Sequence, residues 1–485
     1  MRISRLVPDS PASAEFRGWS SAAIAFPAMG SMLGLAGELA QRSLSQPGPL
    51  ERGIGAERAT ILDVTNDSRP HASAARTEHR PRGWLRHTAG LFAPKVATAF
   101  APAALERDAG QRLRRVAMAA GDRVRQRVRP SRPLMRTLTV SPGLRLAWRD
   151  VPVPPPPGRL GAIVHPVAVA TCDLDRALAL GATPFALPVG LGHECVAEVL
   201  EVGERVTDVR PGQLVVVPFQ INCGACPPCR GGRTGNCTAV PPLSMYGFGL
   251  GGGHWGGALS DQLLVPFADA MLVPLPGDLE PAAAASVCDN VSDGFCHIAP
   301  HLPGLLERDP DTEVLIIAAV TRGSMFSPSV ALYAGLAARA LGARHVHLVD
   351  ERRSVRDHAE RLSLHAMRPE ELRGQAPVPL VVDSSAHPRG LRAALSHTAP
   401  DGICTSAGGV YGTARIPAGL LYSRNATYHV GRTHSRAMIP QVLDLMTSGR
   451  FHPEAVTTTV APLDDAPRAL RQHYLTDSTK TILTA

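Results

Sequence analysis

The sequence predicts an α/β protein in two structured parts, a β-rich domain followed by a doubly wound parallel sheet, with a basic extension in front. Three observations carry this expectation. Between residues 161 and 276, short apolar runs are separated by Pro and Gly, the mark of a compact, mostly antiparallel β-domain. From Val314 onward, strand-like runs alternate with helix-like ones, the pattern of a parallel sheet built from crossover units. Inside the first part, Cys223-Gly-Ala-Cys226-Pro-Pro-Cys229 and Cys237 place four cysteines within fifteen residues, the spacing of a metal-held lobe.

A chain of 485 residues is long for one core, so two or three domains are expected. Residues 1–134 carry 21 Lys+Arg against 11 Asp+Glu, whereas the remainder has a net charge of −2, so the basic balance belongs to the extension. The body therefore gives no reason to expect nucleic acid. The apolar run 21–40 is broken by Pro27, glycines and Glu38, which makes it a poor membrane span. Asp9 and Glu15 argue against a signal peptide. Residues 103–129 are helix-compatible, with Leu105, Leu113, Val116 and Val124 on one side. They read either as a basic surface helix or as part of a weakly ordered extension, with Met135 a natural start for the body of the protein. All nine cysteines lie after residue 134 in no pairing pattern, which implies reduced thiols and a cytoplasmic setting. Lys95 and Lys480 are the only lysines.

The β-rich part contains the runs 161–170, 195–203, 213–220 and 261–276. Its lobe offers four thiolates that close a tetrahedron around Zn²⁺ and leave no open position, so it can hold a loop in shape but cannot do chemistry. A disulfide knot would need a secretory context, and four separate core cysteines would have no reason to keep this spacing. Upstream stand Cys172-Asp173-Leu174-Asp175 and Gly192-His193-Glu194.

In this order and at these distances, the Cys-x-x-Asp, the Gly-His-Glu and the four-cysteine lobe resemble the zinc-dependent alcohol dehydrogenases of the medium-chain dehydrogenase/reductase superfamily, from about Met135 to the C-terminus. The resemblance implies a GroES-like catalytic domain over 135–289, a Rossmann domain over 290–432 and a segment 433–485 that returns to the catalytic domain. The active site would lie in the cleft between the domains, and the protein would be a homo-oligomer, dimer or tetramer. It further implies a catalytic zinc held by Cys172, His193 and a third ligand that precedes a Gly-aromatic pair. The frame Asp289-Asn-Val-Ser-Asp-Gly294-Phe295 assigns that ligand to Asp289 rather than Cys288, with Glu194 behind the ligands to orient them. Where relatives carry a hydroxyl residue and a His that relay a proton, this chain has Leu174 and Ala177, which leaves Asp173, Asp175 or solvent as the route. Cys195 reads as a small core residue.

In the second part, Val314–Ile317, the apolar helix-like run 328–342 and His345–Asp350 give strand, helix, strand and acid, the opening of a Rossmann unit. Leu380–Asp383 and Gly402–Gly409 read as further strands. A helix from Met438, a strand over Val456–Leu463, a helix over 464–475 and a last strand complete the chain. The G-x-G-x-x-G fingerprint is missing: Ala318–Ser329 is longer and nearly free of glycine. Either Thr321, Arg322, Ser324 and the following helix N-terminus hold the phosphates, or the cofactor has been lost. Asp350 stands where an acid takes the ribose hydroxyls and predicts NAD(H) over NADP(H), with Arg352 and Arg353 pulling the other way.

The sequence-level expectation is a zinc-dependent oxidoreductase with two zinc ions, one structural and one catalytic. It would pass hydride between an alcohol or an aldehyde/ketone and a nicotinamide cofactor, without nucleic-acid or membrane partners. The alternative is a non-enzymatic, zinc-stabilised paralogue that has lost cofactor binding. A zinc-ribbon nucleic-acid module is disfavoured by the charge of the body and by the Cys172/His193 pair.

Overall fold

The computed structural model describes residues 133–485, apart from 184, 186, 254, 322 and 408–413. The expectations for the extension and for Arg322 lie outside the described residues.

The first strands form a hairpin that the apolar runs of the sequence do not mark. β1 (Leu134–Ser141) and β2 (Arg145–Pro152) pair from Leu134↔Pro152 to Ser141↔Arg145. The turn at Pro142-Gly143-Leu144 is the available signal, and Gly143 takes φ 83° there, which costs least at glycine. Next come β3 (Ala162–Ala170), the short α1 (Asp175–Ala179), β4 (Val189–Gly190), β5 (Glu194–Val202), β6 (Leu214–Val217), β7 (Leu263–Val265) and β8 (Val273–Pro274). The run 261–276 is not one strand. Pro266 has no amide to donate, and the chain makes a helical turn at Ala268–Met271 between β7 and β8.

A π-helical turn at Val287–Val291 leads into α2 (Ser292–Cys296). The second part contains β9 (Glu313–Ala319), α3 (Ser329–Ala340), β10 (His345–Asp350), α4 (Arg353–Arg361), β11 (His365–Met367), β12 (Val378–Asp383), α5 (Pro388–Ser396), β13 (Thr398–Ser406) and β14 (Thr427–Val430). The chain ends with α6 (Ser435–Thr447), β15 (Thr459–Pro462), α7 (Ala466–Leu475) and β16 (Thr481–Thr484).

These strands make three sheets. The hairpin and β4 form one, in order β2-β1-β4. A seven-stranded sheet runs β15-β16-β3-β5-β6-β8, with β7 also on β3. The third is six-stranded and parallel, in order β11-β10-β9-β12-β13-β14, the doubly wound arrangement whose strand order reverses beside β9. Alternation along β9 explains its burial on both faces. Val314 and Ile316 pack with α3 residues such as Ala331 and Ala334, while Leu315 and Ile317 pack with Leu391 and Leu395 of α5. Each such aliphatic side chain contributes roughly 1.5–3 kcal/mol on full burial.

The last strand ties the two halves together. β16 pairs antiparallel with β3, Ile482 opposite Ala170, so the C-terminus completes the β-domain. Leu470 and Tyr474 of α7 join that domain's core, whereas Ile439 and Val442 of α6 pack in the cluster that holds α3.

Candidate metal centre and cofactor cleft

Cys172 follows β3, His193 immediately precedes β5, and Asp289 lies within the π turn, so three separate elements deliver one donor each. The donor atoms of Cys172, His193, Glu194 and Asp289 all lie within 4.8 Å of one another and are buried. Local backbone explains two of these placements. Gly192 has φ 88°, and a Cβ there would meet the Leu259 amide at 2.7 Å, so only glycine can precede this histidine. In the π turn the Val291 amide donates to the Ser286 carbonyl, and the extra residue in that turn aims Asp289 inward.

The cluster fits a divalent cation. His193 Nε2 sits 3.3 Å from Asp289 Oδ2, yet both ring nitrogens are buried without a hydrogen bond, a costly arrangement unless something else engages them. Burial and the neighbouring Asp289, Glu194 and Asp175 push the Cys172 thiol well up, so several acids converge where a 2+ charge would offset them. A thiol, an imidazole and a carboxylate suit zinc. Phe248 and Phe219 flank the His193 ring, with centroids at 4.7 and 5.8 Å.

Residues around these donors hold them in place, and the sequence motifs do not reveal several of them. Asp175 Oδ2 accepts from the Cys172 amide at 2.9 Å, and its Oδ1 lies 3.8 Å from His193 Nδ1. Asn290 donates to Cys172 Sγ at 3.3 Å and to Asp289 Oδ2 at 3.2 Å. Lys480 is fully buried one residue before β16. Its ammonium donates to both Glu194 oxygens, at 3.1 and 2.9 Å, and to Asn290 Oδ1 at 2.8 Å, so all three protons are used. Burial pushes Glu194 up and Lys480 opposes it, while burial pulls Lys480 down and Glu194 more than offsets this. The rarity of lysine in this chain is the signal that could have marked Lys480. Cys195 and Cys288 turn away into the core, where the Cys195 amide donates to Cys288 Sγ at 3.1 Å.

The four lobe cysteines are free thiols whose sulfurs lie within 4.8 Å of one another. Backbone amides of Thr238 and Cys229 lower the pKa of Cys226 to about 5, which favours the thiolate. The lobe docks on the segment before α6: the Gly235 amide donates to His434 Nδ1 at 3.1 Å, and Gln220 donates to the Thr433 carbonyl at 2.9 Å.

The cofactor end differs from the sequence expectation. Ser324 is used inside its own loop, its hydroxyl accepting from the Phe326 amide at 3.3 Å; Thr321 lies half-buried on the same loop. The helix N-terminus expected to join them is already engaged. Asp173 accepts from the Ser329 amide at 3.3 Å, the Val330 amide at 3.0 Å and the Ser329 hydroxyl. Burial raises Asp173 to about 6, against the pull of Lys480 and these donors. Gly294 lets α2 pack closely on α3, because a Cβ there would meet the Ala334 amide of α3 at 2.7 Å. Asp350 ends β10 as expected but is fully buried. Its Oδ1 accepts from the Arg352 amide and Nε at 2.7 and 2.9 Å, and its Oδ2 from Nη2 at 2.7 Å. Ala177 and Leu174, at the missing relay positions, pack against Met325.

Comparison with known proteins agrees with the fold. The alcohol dehydrogenase GroES-like domain family matches residues 158–277. A probable zinc-binding alcohol dehydrogenase of Mycobacterium tuberculosis is 27% identical over 346 residues, covering 69% of this chain and 84% of that protein. A glutathione-independent formaldehyde dehydrogenase of Bacillus subtilis is 26% identical over 355 residues, covering 64% of this chain and 83% of that one. Among solved structures, an alcohol dehydrogenase from Thermus sp. ATN1 superposes with TM-score 0.65 at 27% identity, over 72% of this chain and 99% of that one. In its β-domain, its doubly wound sheet and its buried Cys/His/Asp cluster, the chain resembles the zinc-type alcohol dehydrogenases of the medium-chain dehydrogenase/reductase superfamily. Residues 158–277 match the alcohol dehydrogenase GroES-like domain, and the similarity is that of an alcohol dehydrogenase-like oxidoreductase.

Proposed function

We propose that the protein is a zinc-dependent oxidoreductase acting between an alcohol and the corresponding aldehyde or ketone, with a nicotinamide cofactor. The observation that carries it is the buried Cys172/His193/Asp289 cluster with an imidazole that lacks a hydrogen-bond partner. When bound, zinc supplies Lewis acidity at an alcohol or carbonyl oxygen, and the nicotinamide gives or takes the hydride. The chain's residues supply geometry. Asp175 fixes the Cys172 backbone, Asn290 steadies Cys172 and Asp289 together, and Lys480 neutralises Glu194 behind them. Neither nearby acid is free as a proton relay, since Asp173 caps α3 and Asp175 faces His193.

A second, closed zinc site at Cys223, Cys226, Cys229 and Cys237 holds the lobe. NAD(H) is the preferred cofactor because Asp350 ends β10, although Arg352 narrows the preference. A second copy of the chain would cover β14, the outer strand of the parallel sheet, where Val430 is 61% exposed. The cytoplasmic setting rests on the unpaired cysteines; no helix among the described residues is long and apolar enough to cross a membrane.

The test is zinc analysis with a screen of alcohols and carbonyls on the full chain. The wild type should carry two zinc ions. His193→Ala should carry one and lose activity by roughly 10³-fold or more, equivalent to the several kcal/mol a Lewis acid supplies. A wild type with one ion or none, or a fully active His193→Ala protein, would refute the assignment.

A further inference from the structure

A doubly wound sheet binds a dinucleotide at the point where strand order reverses, with its pyrophosphate against the N-terminus of the helix that follows the first strand. Here the first strand is β9 and the helix is α3, and three ordinary anchors for the cofactor are each engaged by the chain itself. The amides of Ser329 and Val330, which open α3, donate to the Asp173 carboxylate, and Asp173 is only 9% exposed. The loop that stands in for the glycine turn packs Met325, 2% exposed, against Ala177 and Ala182 of the β-domain. Arg352 then ties the remaining pieces together. Its guanidinium donates to both Asp350 oxygens and, through Nη1, to the Phe326 carbonyl at 3.1 Å, holding the loop against the ribose-binding acid.

The residues at the phosphate end therefore do not fit a pyrophosphate as they stand. A buried carboxylate occupies the position that an anionic ligand takes, with the same donors and the same helix dipole. We propose that Asp173 is the residue that sets cofactor affinity in this chain, its carboxylate standing in for the dinucleotide phosphate at the N-terminus of α3, so that the cofactor binds only by displacing it. This rests on the nicotinamide reading of the site and specifies how that site is regulated. A second consequence is that the phosphate end, more than the ribose end, limits binding. Asp173 would both compete for the amides and repel the incoming charge at a few ångströms.

The experiment is titration of the full chain and two variants, Asp173→Asn and Asp173→Ala, with NADH, NADPH and ADP-ribose. Nicotinamide fluorescence or calorimetry gives the affinity, and zinc content and thermal melting are measured alongside. Removing one like charge from the cradle should tighten NADH and ADP-ribose by about tenfold or more, with zinc content unchanged. Asp173→Asn retains an oxygen that caps a helix as well as Asp does, so the comparison survives if Asp173→Ala misfolds. Wild-type affinity equal to or tighter than that of the variants would overturn the proposal, as would a lower melting temperature with unchanged affinity, which marks a structural cap alone. If none of the three proteins binds NADH or NADPH, the nicotinamide reading falls, and this proposal with it.

Discussion

The metal end and the phosphate end of the cleft lie on either side of Cys172-Asp173, and they differ in kind. At the metal end, Cys172, His193 and Asp289 converge with both imidazole nitrogens buried, facing carboxylates and without a hydrogen bond, an arrangement that suits a cation. At the phosphate end, Asp173 and the loop before α3 are each satisfied by the chain itself, as is Asp350 at the ribose end beyond them. A site that awaits a ligand leaves buried polar atoms without partners, whereas one that has found an internal substitute does not. Adjacent residues thus separate donors that lack hydrogen-bond partners from a carboxylate that has them.

The strongest way to break this contrast lies in the lobe, the other cluster whose donors could hold a metal. A closed four-thiolate site contributes folding free energy on the order of 10 kcal/mol in small zinc domains, and losing one ligand forfeits much of it. Cys226→Ser should remove one zinc ion and lower the melting temperature, by roughly 2–4 °C for each kcal/mol lost. The Cys172/His193/Asp289 ion should remain. If Cys226→Ser keeps both ions and melts like the wild type, the lobe is self-sufficient and resembles the phosphate end.

These two ends are not equally legible in the sequence. Cys172, His193 and the four lobe cysteines can be found because metal chemistry dictates residue type, and type is what a sequence displays. Asp289 needs the frame ahead of Gly294-Phe295, since residue type alone favours its neighbour Cys288, which the structure turns into the core. The strands at His345–Asp350 and Val378–Asp383 are readable from apolar runs. Asp173 enters the sequence reading only as one of several proton routes. Its partners Ser329 and Val330 lie more than 150 residues away, and no local pattern reports such a contact. Lys480 escapes for the same reason, because its partner Glu194 is 286 residues distant.

Lys480 offers an intermediate test, since it supports the metal end through Glu194 and Asn290 without touching Cys172, His193 or Asp289. Its ammonium is fully buried and spends its three protons on Glu194 and Asn290. Lys480→Met would leave Glu194 as an unpaired buried acid, which costs roughly 3–5 kcal/mol. Adding Glu194→Gln should recover a large part of that loss, because the neutral amide tolerates burial better than the charge did. Denaturant unfolding of the wild type, the single variant and the double variant measures it. Equal stability of all three would mean that the pair contributes nothing.

The smallest expected effect concerns the ribose end, where the contrast can be sharpened rather than broken. A free acid at the end of the second strand favours NAD(H), because it accepts from the ribose hydroxyls and repels a 2′-phosphate. Here Asp350 is held by Arg352 through contacts of 2.7–2.9 Å, so both its accepting capacity and its repulsion are reduced, while Arg352 has less charge to offer a phosphate. The two effects largely cancel. The wild type should therefore prefer NAD(H) by no more than about tenfold, or about 1.4 kcal/mol. Arg352→Ala releases the carboxylate and should widen the preference, whereas Asp350→Ser releases the guanidinium and should narrow or invert it. Competitive titration with the two cofactors decides between these outcomes. A preference that moves the same way in both variants would show that the pair acts only by holding the loop at Phe326, leaving discrimination to other residues.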